Sequence, residues 1–139
     1  MKVTEDLVFI GGLWMPRSES ALLSTKRFAR RSTLTGTLDL DVEKVAATIK
    51  HCKSFDVAVD VGAHVGAISL LLAKRFAAVT AFEAIPSTFA ALERNVAGLR
   101  NVATINCAVL DRQGQTFLMH FPHHGQLSHI AGEHGGAPL

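Results

Sequence analysis

Cysteine is scarce in this 139-residue chain: Cys52 and Cys107 are the only two, and neither belongs to a Cys-x-x-Cys pair. That excludes a disulfide framework, and the pair reads as buried, reduced packing thiols of an intracellular protein. Charge of either sign is also in short supply. A net charge of +2 is too small to imply a polyanionic partner by itself. Long apolar runs are missing: the best stretch, Val57 to Leu72, is interrupted by Asp60 and His64, so no membrane span is expected. Glu5 and Asp6 stand where a signal peptide would be basic, and no small-residue cleavage site follows an apolar run. There is no internal repeat. These absences together predict a soluble, cytoplasmic protein. What is present is ordinary globular composition, 48% hydrophobic and 19% charged. A chain of this length makes one domain that buries roughly two thirds of its unfolded surface.

The first 38 residues give mixed signals. Leu7-Val-Phe-Ile10 suits a short strand, Gly11-Gly12 a turn, and Trp14-Met-Pro16 a small apolar anchor. Lys26, Arg27, Arg30 and Arg31 then interleave with Leu22, Leu23 and Phe28. From residue 39 the pattern sharpens. Asp39 or Asp41 can cap a helix whose Val42, Val45, Ala46 and Ile49 share one face. Phe55 to Val61 reads as a buried strand, Val65 to Phe76 as a helix, and Ala78 to Phe82 as a second strand. Ser87 is placed to cap a helix carrying Phe89, Leu92 and Val96, with Gly98 to end it. Val102 to Val109 reads as a third strand, Asp111-Arg-Gln-Gly114 as a turn, and Thr116 to Phe121 as a fourth strand returning antiparallel. After Phe121 the pattern dissolves. Strands alternating with helices predict an α/β, Rossmann-like fold, a three-layer α-β-α arrangement with a mostly parallel sheet, cut short after the fourth or fifth strand. The division expected is an N-terminal extension or cover over 1–38, a cofactor-binding domain over 39–121, and a His/Gly-rich tail over 122–139.

Ligands of open α/β sheets bind beyond the carboxyl ends of the strands. That places Gly62-Ala-His-Val-Gly66 beside Glu83, which lies 21 residues after Gly62, the distance at which such folds set an acid on a ribose diol. A carboxylate accepts from two vicinal hydroxyls at once, and charge-assisted bonds of that kind are strong. A dinucleotide fingerprint would fall on Gly62, His64 and Ala67. Histidine at the middle position blocks the approach of a pyrophosphate, so NAD and FAD are disfavoured. The Asp60-x-Gly62-x-x-x-Gly66 spacing suits a ligand with a ribose and no phosphates.

Four segments in order, Val59-Asp-Val-Gly-Ala-His-Val-Gly66, Ala81-Phe-Glu-Ala-Ile-Pro-Ser-Thr-Phe89, Leu92-Glu-Arg-Asn95 and Ala108-Val-Leu-Asp-Arg-Gln-Gly114, resemble the FkbM-type family of S-adenosylmethionine-dependent methyltransferases over residues 56 to 118. The resemblance implies that Asp60, Gly62, Ala63, His64 and Gly66 shape the methionine end of the site. It implies further that Glu83 binds the ribose, that Ala84 and Ile85 flank the adenine, and that Ala108 lies near the adenine edge. The implied cofactor is S-adenosyl-L-methionine and the implied reaction is O-methyl transfer to a small-molecule or sugar hydroxyl. His64 and Asp111 are the candidate bases, and no catalytic residue is assigned. His64 departs from the glycine or asparagine common at its place. The family's later strands and its Asp-x-Glu-Gly segment have no counterpart here, so a homodimer partner or a missing C-terminal segment would be needed to complete an acceptor pocket. The rival to an enzyme is a cofactor-binding fragment or accessory subunit without turnover.

Two further clusters stand outside these motifs. The basic residues at 26, 27, 30 and 31 read as a solvated helix face before an RNA footprint. His120, His123, His124, His129 and His134 could bind metal, but no cysteine or His-Glu-x-x-His motif accompanies them, so a polar loop and no metal site is expected.

Overall fold

The computed structural model describes residues 6–20, 31–39, 41–111, 119–120 and 129–130. An antiparallel hairpin opens the chain, β1 (Leu7–Ile10) and β2 (Leu13–Pro16), joined by Gly11 and Gly12 at φ +60° and +90°. The Trp14 segment expected to be an anchor is therefore a strand. A 3₁₀ turn, Arg17–Glu19, follows it. The centre of the fold is a parallel three-stranded sheet of β3 (Val57–Val61), β4 (Ala78–Phe82) and β5 (Val102–Ile105), in the order β3-β4-β5. Helix α1 (Val42–Ile49) precedes β3, α2 (Ala67–Ala73) links β3 to β4, and α3 (Pro86–Val96) links β4 to β5. Strands one, two and three in simple sequence are the first half of a doubly wound Rossmann-like sheet, and the α/β fold class follows from that order.

Both crossovers step in the same direction, so right-handed connections lay α2 and α3 on one face of the sheet. Val79 and Ala81 of β4 bury there, packed with Leu71 and Leu72 of α2 and with Leu92 and Val96 of α3. Val42 and Ile49 of α1 join the same cluster, and so do Leu13 and Met15 of the hairpin. The other face carries no helix among the described residues. Val57, Val59, Val61 and Ile105 project from it, 42% to 64% exposed. The expectation that β3 is a buried strand is thus corrected: its apolar content was legible, but burial needs a cover, and the described residues make one of the two helical layers.

Other local expectations shift for identifiable reasons. Pro86 occupies the first turn of α3 and Ile85 is its N-cap, so Ser87 is not the cap; proline's fixed φ and missing N–H suit that place. Asp41 does precede α1, but its side chain makes no cap hydrogen bond. Helix α2 ends where Asn101 Nδ2 donates to the Ala73 and Phe76 carbonyls, at 2.9 and 3.0 Å. Cys52 and Cys107 are both exposed, against the expectation of buried thiols, because one follows the last turn of α1 and the other lies past the end of β5. Met119–His120 pairs antiparallel with His129–Ile130, separate from the parallel sheet. Chain past Phe121, expected to be loop, thus returns as strand at 129–130. The 111–114 turn lies outside the described residues except for Asp111. No helix among the described residues is long and apolar enough to cross a membrane.

One side chain ties these pieces together. Asn95 on α3 accepts from the Trp14 amide (2.7 Å), donates to the Trp14 carbonyl (2.8 Å) and donates to the Val65 carbonyl (2.7 Å). It pairs with β2 as another strand would and reaches the start of α2 as well. Arg94 lies 3.7 Å over the Trp14 ring, a cation–π contact that covers the same junction. Asn95→Ala should lower unfolding free energy by about 2–4 kcal/mol, because three hydrogen bonds go and backbone groups of Trp14 and Val65 lose partners. Urea denaturation checks this, and a loss under about 0.5 kcal/mol would show the clamp to be dispensable.

Candidate functional site

The carboxyl ends of β3, β4 and β5 lie along one edge of the sheet, and there the chain makes its bend. Gly62 and Ala63 donate their amides to the Phe82 carbonyl, both at 2.9 Å, which docks the bend on the tip of β4. Glu83 follows Phe82 directly. Its Oε2 accepts from the His64 amide at 2.8 Å and its Oε1 from the Ile85 amide at 2.9 Å. The residue is 6% exposed. The glycine bend and the acidic strand tip therefore meet, as the sequence spacing requires. The carboxylate does more than wait for hydroxyls, however, since it staples the bend to the start of α3. An ionised carboxylate offers about four acceptor positions. Two are used among the described residues, one on each oxygen.

The glycines have different duties. Gly62 (φ +76°) is exposed, and a Cβ there would meet nothing within 4 Å, so open space lies over the bend. Gly66 (φ +89°) is buried, and a Cβ would come within 2.7 Å of Leu92 Cδ1. Gly66 is thus needed for packing of α2 on α3, while Gly62 leaves a cradle that a ligand could fill. Ala63 is buried in the cluster of Ala81, Leu92 and Val96, so only its backbone can face a ligand. His64 is half-buried with φ +53°, a conformation that costs a side-chain-bearing residue about 1 kcal/mol or more. Its Nε2 lies 2.6 Å from Glu19 Oε2.

Asp60 faces the helix side of β3 and accepts from the Ser69 hydroxyl of α2 at 2.6 Å. Burial pushes its carboxyl up from the ordinary value of 3.8, and the Ser69 bond offsets part of that. Ala84 is half-buried and Ile85 buried at the start of α3. Asn106 Nδ2 donates to the carbonyls of Glu83 (2.8 Å) and Ala84 (3.2 Å), pinning the strand tip. Ala108 is exposed beyond β5. Asp111 is exposed further along.

Sequence reading missed four contributors: Ser69, Asn106, Glu19 and Thr88. Ser69 could have been found as the polar residue in a strongly apolar helix, and Asn106 as the amide one step past a strand. Glu19 and Thr88 carry no local signal, because their pairing spans 69 residues. Among the described residues no group of three or more His, Cys, Asp or Glu is set to hold a metal ion. Most of the His-rich segment lies outside them. A cleft of about 560 Å³ between α3 and β5, lined by Glu93, Arg94, Leu99 and Thr104 among others, includes no residue of the bend.

No protein-family model matches the chain, and no curated protein does. Among solved structures the chain is similar to wild-type Trm5b from Pyrococcus abyssi, with 23% identity and a TM-score of 0.44 over 76% of this chain. This chain spans 29% of that protein's length. A likeness of this size carries no argument about fold or function, and the fold stands on its own strand order and register.

Two expected outcomes separate scaffold from cradle. Gly66→Ala should cost about 2–4 kcal/mol of stability through strain and overpacking, whereas Gly62→Ala should cost about 1–2 kcal/mol from backbone conformation alone. Paired denaturation curves test it, and equal losses would refute the distinction. A second outcome concerns pH. A carboxyl whose folded pKa is raised contributes stability fully below 3.8 and loses it as pH climbs through the folded value. Asp60→Asn, which can still accept from Ser69, should therefore be more stable than the parent at neutral pH. The advantage should shrink as pH falls toward 3.8. A variant less stable than the parent at neutral pH, or a gap that does not vary with pH, would contradict this.

Proposed function

We propose that this chain holds S-adenosyl-L-methionine as part of a methyltransferase of the FkbM type, which its motifs resemble. The observation that carries the reading is electrostatic. Three carboxylates, Asp60, Glu83 and Glu19, surround the bend, and among the described residues no Lys or Arg pairs with any of them. A diphosphate would be repelled by that set, and His64 occupies the place where a pyrophosphate needs glycine. A nucleoside with a cationic side arm and no phosphate complements it. Burial has raised the energy of the Asp60 carboxylate, and a cation nearby would lower it again.

In this reading Gly62 admits the ligand close to the backbone, and the remaining acceptor positions of Glu83 take the two ribose hydroxyls. Ala84 and Ile85 flank the base, and Asp60 acts by field on the cationic end. The cofactor supplies an electrophilic methyl group on a sulfonium. The residues named orient it and exclude water, which is where most of the acceleration of such a displacement arises. The acceptor proposed is a small-molecule or sugar hydroxyl, on the resemblance of the motifs. Three of the four N-terminal basic residues lie outside the described residues, while Arg31 donates through Nε to the Gly36 carbonyl at 2.8 Å.

A second reading, cofactor binding without turnover, is favoured by the exposed apolar face of β3 and β5, which no helix among the described residues covers. An acceptor pocket needs walls on that side as well.

Calorimetric titration with S-adenosylhomocysteine tests the first reading, with ADP-ribose as the phosphate-bearing control. Binding of the former without the latter is expected. No heat and no thermal shift with S-adenosylhomocysteine at millimolar concentration would remove the proposal, and tighter ADP-ribose binding would turn it toward a dinucleotide site. RNA retention that falls steeply with salt would move the acceptor to nucleic acid.

A further inference from the structure

Glu19 is buried at 6% exposure in the 3₁₀ turn after the hairpin, a place with no obvious need for a carboxylate. Its two oxygens go to different parts of the molecule. Oε2 meets His64 Nε2 at 2.6 Å, and Oε1 accepts from the Thr88 hydroxyl of α3 at 3.3 Å. No Lys or Arg among the described residues neutralises it. Burying an acid is costly, and its bonds to His64 and Thr88 must offset that cost.

The histidine at the other end is equally constrained. It stands at φ +53°, in a left-handed conformation that persists in a non-glycine residue only where the surroundings over-determine it. Glu83 holds its amide and Glu19 its ring, so two carboxylates from distant parts of the chain fix one residue of the bend. A carboxylate only accepts. Nε2 therefore carries a hydrogen toward Glu19, and in the neutral ring that leaves Nδ1 with a lone pair.

The geometry points to Glu19 as a positioning residue of the nucleoside site: it fixes the His64 imidazole so that Nδ1 is presented as an acceptor to a donor group of the bound ligand. This rests on the nucleoside reading above and adds the N-terminal hairpin to the site, since the 3₁₀ turn that carries Glu19 continues directly from β2. The arrangement follows the logic of carboxylate–imidazole pairs, in which the acid sets tautomer and orientation while the ring makes the functional contact.

The test is a double-mutant cycle on the 139-residue chain, read as affinity for S-adenosylhomocysteine well below each variant's unfolding midpoint. Glu19→Ala and His64→Ala should each weaken binding about tenfold. The double variant should be no weaker than His64→Ala alone, because Glu19 acts through the ring. Glu19→Gln, whose amide oxygen can still accept from Nε2, should retain most of the affinity. Unchanged affinity in folded Glu19→Ala, or losses that add in the double variant, would overturn the assignment while leaving the nucleoside site standing. Absence of binding by the parent protein would overturn the nucleoside reading and this one with it. Should Glu19→Ala fail to fold, long-range ¹⁵N NMR of the parent decides: an Nε2-protonated His64 is expected, and the Nδ1-protonated tautomer would refute the pairing.

Discussion

The site is built around a carboxylate that holds backbone. Glu83 takes one amide from the bend after β3 and one from the first residues of α3, so a single side chain sets the distance between two strand ends. Each of those amides would otherwise be a donor in need of a partner at a helix or turn terminus, and unpaired buried donors are expensive. The sheet register supplies the rest: Asp60 pairs with Ala81 and Val61 with Phe82, which brings Gly62 to the Phe82 carbonyl. Once that register is set, the position of the bend follows.

The N-terminal hairpin is bound to this arrangement at two levels. Leu13 and Met15 are fully or almost fully buried in the same cluster as Leu71 and Val79. Asn95 then adds directional bonds to the hairpin backbone, and Glu19 reaches past it to the bend. Apolar burial supplies most of the adhesion, whereas the polar bonds choose one seating among the many that grease alone would allow.

Much of this was legible in the sequence, for physical reasons. β4 appears at the residues expected, because a short run of β-branched, small and aromatic residues, set between the end of a helix and the acid Glu83, admits few alternatives. The meeting of the bend with Glu83 was legible too, since 21 residues is what a helix plus a strand requires in a parallel crossover. What pattern could not supply was environment. Val57, Val59 and Val61 have the composition of a buried strand, yet composition does not say whether a second layer lies over it. Cys52 and Cys107 are apolar enough to pack inside, and their exposure is decided by where α1 and β5 stop. Glu19 looked like any polar residue between serines, and only the fold reveals that its partners stand 45 and 69 residues away.

The stripe of Val57, Val59 and Val61 has a colloidal consequence. These side chains alternate along an outer strand whose far edge has no hydrogen-bonding neighbour among the described residues. Unpaired amides beside a flat aliphatic strip form a template on which other chains can nucleate. Whatever shields those three valines therefore also removes a surface on which copies of this polypeptide could stick to one another.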